Sequence, residues 1–181
     1  MFDKAPLLQV ETRTLSGGFP RQELESGDFD LAIAAYFENI PSHYKTRTVY
    51  KDRFVCVCAK NNSYLRTKLS STDYLKRKHL QIDVPAGVFA PIDQILATKK
   101  EKRNIALKVG NFLTPAQILS KTDLLLTCPE SLAKRYKEMY SLVISDLPFQ
   151  IPGINTKMVW HEKNQQDPFH TWLRNCLAKI E

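Results

Sequence analysis

Two hydrophobic rhythms alternate along the chain. Leu8, Val10 and Thr12 alternate with Gln9 and Glu11, a period of two that predicts a strand with one wet face. Gly18-Phe19-Pro20 then opens a short helix with Pro20 near its first position, and Gly27 closes it as a left-handed cap. Leu31-Ala32-Ile33-Ala34-Ala35 and the run 54–58 are apolar on both faces, as buried parallel strands are. After Lys60 the texture turns polar, with Asn61-Asn62-Ser63, and a boundary is expected there. The pattern next predicts a helix over 71–76, a strand over 79–83, a helix over 91–97, a strand over 105–109 and a helix over 114–120. A strand over 124–127, a helix over 129–136 and a strand over 142–145 complete this series. Repeated βα units predict an α/β fold with a parallel sheet flanked by helices.

The segment 148–152, bounded by two prolines and followed by Gly153, has the look of a crossing strap, and a strand over 157–161 follows it. The closing helix is the most legible element. Asp167 suits the N-cap and Pro168 the first helical position, and Phe169, Trp172, Leu173, Cys176, Leu177 and Ile180 recur on one face. That whole face is expected to be buried, with the chain end returning to the first lobe. Lobe I is therefore expected over 1–59 and 157–181, and lobe II over 60–156.

Composition narrows the class. With 181 residues, 43% hydrophobic and 25% charged, and only 6 Gly and 10 Pro, the chain has the profile of a globular protein. No apolar window is long enough for a membrane span, and the start, MFDKAPLLQVETR, lacks the basic and apolar regions of a signal peptide, so a cytoplasmic address without membrane partners is expected. Lys and Arg number 26 against 19 Asp and Glu, a net charge of +7. The basic runs Arg77-Lys78-His79 and Lys99-Lys100-Glu101-Lys102-Arg103 fall where helices end, so a solvated, dipole-complementing role is the ordinary reading and phosphate contact the alternative. The four cysteines form no C-x-x-C pair and sit in apolar runs, which predicts core thiols rather than a metal site or disulfides. Nucleophile-elbow, zinc, Walker and dinucleotide motifs are all absent from the sequence, so a binding module rather than an enzyme is expected, with no cofactor.

Ligands of an open parallel sheet sit at the carboxyl ends of its strands, where the next helices begin. Thr127-Cys128-Pro129-Glu130 and Thr114-Pro115-Ala116-Gln117 read as capping boxes, and Ala90-Pro91-Ile92-Asp93 places proline near a helix start. Three such starts opening on one side favour a small anion such as a carboxylate, although each alone is simply a cap. His79 begins a strand, where a satisfied structural histidine is the ordinary role. Asn111 follows a strand and is placed to offer its side chain to the ligand. His161 and His170, near Trp160 and Trp172, read as packing or surface residues.

The segments LESGDFDLAI (24–33), DRFVCV (52–57), RNIAL (103–107), VGNF (109–112), TDLLLTCP (122–129), WHEK (160–163) and DPFHTWLR (167–174) resemble, in order, the effector-binding domain of LysR-type transcriptional regulators. The likeness is greatest to the subgroup that answers aromatic compounds, the nodulation and salicylate-type regulators. It implies two Rossmann-like lobes with a central cleft, similar to type-2 periplasmic binding proteins, with a small aromatic or carboxylate effector in the cleft. Carried over by position, the cleft residues are Ala34, Ala35 and Tyr36, then His79, Asn111, Phe112, Thr127 and Cys128. Members of the subgroup often have histidine where this chain has Asn111, which removes a possible cation. The resemblance also implies an N-terminally truncated domain: the winged helix-turn-helix, through which DNA would be bound, and the first strand and helix of the domain are expected before Phe2. A homodimer or tetramer is the implied assembly. A transporter's solute-binding protein is the alternative reading on the same fold.

Overall fold

The computed structural model describes residues 2–14, 18–35, 40–62, 69–83 and 90–179, and it divides into two units, 1–51 with 155–181, and 52–154. The second unit is built on a five-stranded sheet. Its strands are β3 (Phe54–Ala59), β4 (Lys78–Ile82), β5 (Asn104–Val109), β6 (Leu125–Pro129) and β7 (Leu142–Asp146), in the order β5-β4-β6-β3-β7. The centre is dry: Val55, Cys56, Val57, Leu80, Leu126 and Cys128 are fully buried. Around it lie α2 (Ser71–Lys76), α3 (Ala90–Thr98), α4 (Thr114–Leu119) and α5 (Glu130–Met139). They contribute Tyr74, Ile92, Leu96, Leu119 and Ala133 to the core. Leucine, isoleucine and valine side chains buried in this way contribute roughly 1.5–3 kcal/mol each.

The sheet is mixed. β4 runs parallel to β5 and to β6, as the βα rhythm predicts, but β3 is antiparallel to both β6 and β7. The run 54–58, expected as a parallel strand of the first lobe, is thus an antiparallel strand of the second unit. Central strands are buried on both faces whichever way they run, so an unbroken apolar run cannot report direction.

The first unit carries α1 (Arg21–Ser26), β1 (Ala32–Ala35), β2 (Tyr44–Asp52), β8 (Ile154–His161) and α6 (Pro168–Leu177), with sheet order β1-β8-β2. α1 follows Pro20 and ends at Gly27, whose φ of 92° closes it in the left-handed region. Leu24, Ala32, Tyr44 and Val159 form its core, flanked by Phe19, Phe29 and Ile40. β1 is antiparallel to β8 and is an edge strand with Ile33 44% exposed, not a strand buried on both faces. β2 was not expected, although Tyr44, Thr46, Thr48 and Tyr50 alternate with charged and apolar neighbours along it. The strand predicted over 8–12 does not form: those residues carry no ladder in the structure, since alternation supplies a face but no partner edge.

α6 begins where predicted, with the Asp167 carboxylate accepting the His170 N–H at 2.6 Å. Its apolar stripe is only partly covered. Phe169 is 55% exposed, and Phe169, Leu173 and Leu177 line a cavity of about 500 Å³ together with residues 8–13 and 28–33. Ile180 lies outside the described residues. The helix is held instead by two polar side chains. His170 Nε2 donates to the Asp30 carbonyl (2.9 Å), leaving Nδ1 to accept from Arg174 Nη1 (2.5 Å). Arg174 also donates to the carbonyls of Asn164 and Gln165, both at 3.0 Å, and stacks 4.4 Å over Trp160. Removing it leaves His170 Nδ1, the Asn164 and Gln165 carbonyls and an aromatic face without this partner. Arg174→Ala is expected to lower stability by about 2–4 kcal/mol, read as a drop in urea midpoint, with the exposed Arg47→Ala changing it by less than ~0.5 kcal/mol.

Candidate functional site

The carboxyl ends of β5, β4 and β6 lie side by side in the second unit. The Asp83 N–H donates to the Val109 carbonyl at 2.8 Å, and Lys108 Nζ reaches the Asp83 carboxylate at 3.3 Å. Just beyond β5, the Asn111 side-chain carbonyl accepts from Leu113 N (2.9 Å), Thr114 N (3.0 Å) and Thr114 Oγ1 (3.1 Å). Asn111 therefore starts α4, and the expected Thr114–Gln117 capping box is not used. The Asn111 carbonyl oxygen is fully engaged, so only its amide N–H₂ remains to donate outward. Phe112 is exposed on the same turn, and its carbonyl accepts from Tyr136 Oη of α5 at 2.5 Å.

The start of α5 is also closed from within. Thr127 does not cap it. The Asp52 carboxylate accepts from the Ser131 N–H (3.3 Å) and Oγ (2.7 Å), while the Glu130 N–H donates to the Arg53 carbonyl at 2.9 Å. Arg53 grips Glu130 with Nε and Nη2 (3.1 and 2.7 Å) and Asp146 with Nη1 (2.6 Å). These pairs hold the Arg53 guanidinium well above its ordinary range and the Glu130 carboxyl below its own. The helix starts of α4 and α5 thus spend their donors on Asn111 and Asp52, and a ready anion cradle at each is corrected to an internal cap.

Thr127 and His79 belong to a buried polar network. Tyr74 Oη lies 2.8 Å from Thr127 Oγ1, and the Tyr74 ring packs edge-on against His79 with centroids 4.6 Å apart. His79 Nε2 faces the Tyr74 carbonyl at 2.8 Å and so carries the proton, while Nδ1 is buried with no hydrogen-bond partner among the described residues. Arg103, placed by the basic run among solvated residues, is 7% exposed and binds Asp93 through Nε (2.8 Å) and Nη2 (2.6 Å). Burial raises the Tyr74 hydroxyl far above its usual range, with the Arg103 charge opposing. Cys56 faces Thr127 across the β3–β6 register, and burial pushes its thiol up to about 12.

Within the second unit, the expected site residues fall in different surroundings. His79 and Thr127 are 0% and 2% exposed, joined through Tyr74, with His79 near the amino end of β4. Cys128 points to the opposite face of β6, beside Val55, and is fully buried. Asn111 and Phe112 stand exposed at the carboxyl end of β5. Ala34 and Ala35 end β1 of the first unit, half-buried, and Tyr36 lies outside the described residues. Tyr74 and Asp52 were not singled out in the sequence, and Asp93 and Arg103 were read only as part of a helix start and of a solvated basic run. The single available signal was Asp93 ten residues before Arg103, a spacing that means nothing until α3 folds back on β5.

Residues 2–180 match the family model described as the LysR substrate binding domain. The chain belongs to the LysR substrate-binding domain family. Among its relatives, the HTH-type transcriptional activator NagR of a Ralstonia species is 27% identical over 98% of this chain, and the HTH-type transcriptional regulator SyrM 1 of Sinorhizobium fredii is 30% identical over 98%. The LysR domain spans 58% and 52% of those two proteins, so it corresponds to about half of each. A transcriptional regulator from Vibrio parahaemolyticus superposes with a TM-score of 0.84 at 25% identity, covering 98% of this chain and 82% of that one. The effector binding domain of QuiR in complex with shikimate shares the fold, at TM-score 0.69 and 18% identity, over 87% of this chain and 74% of that one. These likenesses show a shared α/β fold.

Burial holds the His79 imidazole down to about 4, against an ordinary value near 6.5. The unfolded chain therefore binds the extra proton first, and stability is full above about pH 6.5 and falls as pH drops toward about 4, by about 3 kcal/mol from this residue. His79→Gln, which keeps a donor toward the Tyr74 carbonyl, is expected to flatten that part of the stability–pH curve in urea titrations between pH 4 and 7.

Proposed function

We propose that this chain is the effector-sensing domain of a LysR-type transcriptional regulator, and that its effector is a small ring-bearing carboxylate. The match of residues 2–180 to the LysR substrate binding domain carries the reading. The relatives named as HTH-type regulators support the whole protein's role in transcription, with DNA bound through sequence outside this chain. A shikimate complex of a protein sharing the fold supports the ligand class, because shikimate is a small cyclic carboxylate.

In the second unit, the contact we assign is the outward amide of Asn111 beside exposed Phe112 at the carboxyl end of β5: a donor for a carboxylate or hydroxyl oxygen next to an apolar ring surface. Ala34 and Ala35, at the end of β1, are the described residues that the family resemblance carries over in the first unit. His79, Thr127 and Cys128 act from behind, by fixing β4 and β6. A ligand that prefers one arrangement of the domain shifts the population toward it by its difference in affinity. A second copy of the chain is the proposed partner in assembly, supported by the exposed outer edge of β5, and sedimentation velocity reads it.

Thermal melts across a panel of aromatic and alicyclic carboxylates test the reading. An effector at about 100 times its dissociation constant adds about 2.7 kcal/mol, a rise in Tm of roughly 5–11 °C for a chain of this size. Asn111→Asp keeps the oxygen that starts α4 and replaces the outward N–H₂ with an acceptor. The rise is expected to vanish in Asn111→Asp while the ligand-free Tm stays within ~2 °C. A rise that persists in Asn111→Asp removes Asn111 from the site, and no rise with any carboxylate removes the ligand class.

A further inference from the structure

The excess positive charge belongs to one unit. Residues 52–154 hold sixteen Lys and Arg against nine Asp and Glu, whereas the remaining residues hold ten of each, so the whole net charge of +7 resides in the second unit. Within it the fold gathers separate basic segments at one end of the sheet. Lys76 and Lys78 lead into β4, and Lys100 and Lys102 lead into β5. Because Lys78 is registered with Asn104, the two approaches run alongside each other. β6 is parallel to β4, so Lys121, on the turn before it, joins the same end. β3 is antiparallel to β6, which brings Lys60, just past its last residue, to that end as well. The contact is direct: Asn62 Nδ2 donates to the Asp123 carbonyl at 3.2 Å, joining the turn after β3 to the turn before β6.

All six lysines are exposed, and none makes an ion pair among the described residues. The carboxylates nearest in sequence, Glu101 and Asp123, are outnumbered three to one by these cations. The turn before β5 is also fixed in shape: Lys100 has φ 58°, a conformation that non-glycine residues rarely take, and Glu101 N donates to the Leu96 carbonyl at 2.9 Å. Helix-end cations need only one or two charges per terminus to complement a dipole. A row of unpaired lysines across four neighbouring strand ends exceeds that need.

We infer that the lysine-bearing end of this sheet, at the amino ends of β4, β5 and β6, is a contact surface for the phosphate backbone of duplex DNA. Four strand ends at about 4.8 Å spacing span about 15 Å, a length of duplex axis that carries about nine phosphate charges. Lysine ammonium groups suit phosphates, which carry no sequence information, as point charges. The contact is therefore sequence-independent. It lies at the opposite end of the parallel strands from Asn111 and Phe112, so it is separate from the proposed effector contact. It rests on the regulator reading only in taking DNA as the polyanion.

Fluorescence anisotropy of the 181-residue chain with a labelled 20-base-pair duplex of arbitrary sequence, across 50–200 mM salt, tests this. With about four phosphates neutralised, log K is expected to fall with log salt at a slope of about −3.6, weakening binding by about 100-fold over that range. The triple variant Lys78→Gln, Lys102→Gln, Lys121→Gln is expected to reduce the slope by about 3. A charge-matched control in the first unit, Lys4→Gln, Arg21→Gln, Lys179→Gln, is expected to leave affinity within about twofold. No binding at 50 mM salt overturns the inference, and so does an equal loss in the control, which would make net charge the cause. Polyglutamate of matched charge binding as tightly as the duplex also overturns it, in favour of an acidic protein partner. Carboxylate-induced Tm shifts measured on the same triple variant keep the outcomes apart: a retained shift with lost DNA binding leaves the effector reading standing, and the reverse leaves the DNA surface standing.

Discussion

Asp52 and its neighbour Arg53, at the first residues of the second unit, are the polar centre on which that unit's packing depends. The Asp52 carbonyl lies 3.1 Å from where a Cβ on Gly153 would stand, so any side chain at 153 would crowd it by a few tenths of an ångström. Asp52 does more than close β2. Its carboxylate takes the Ser131 N–H and hydroxyl at the start of α5, and the adjacent Arg53 binds Glu130 and Asp146. One dipeptide thereby ties the start of β3 to β7 and α5.

Inside the second unit, order comes from polar groups as much as from leucines. Tyr74 on α2 reaches Thr127 on β6 and covers His79 on β4, and Arg103 at the start of β5 is locked to Asp93 on α3. Each of these side chains is costly to bury alone and acceptable with its partner, so together they specify which helix packs on which strand. The same economy explains the helix starts. Asn111 and Asp52 satisfy the donors of α4 and α5, which leaves the outward face of Asn111, rather than bare helix ends, as the chemistry available to a ligand.

Much of the element order was legible. Asp167-Pro168 marked the start of α6, Gly27 marked the end of α1, and strand and helix alternated from 71 to 146 as the pattern implied. β2 escaped because its charged residues hide an alternation that a single edge does not enforce. The site was less legible. His79 and Thr127 sit in apolar surroundings whether they face a ligand or a tyrosine, and Tyr74 lies 53 residues from the hydroxyl it meets. The membership in the LysR domain family could be read because it rests on local strings such as LESGDFDLAI and TDLLLTCP, which survive without any knowledge of packing.

The sequence by itself determined the local pieces: where helices are capped, which runs are apolar enough to be core strands, and which family shares these strings. Those properties depend on neighbours within a few residues, through backbone dihedrals, caps and periodicity. Tertiary structure alone decided strand direction, the burial of Arg103 and Arg174, the exposure of Phe169, and the gathering of lysines from four segments at one sheet end. Each of these depends on which residues distant in the chain become neighbours in space. An arginine beside a carboxylate and an arginine in water have the same sequence signature, and only the fold brings the carboxylate.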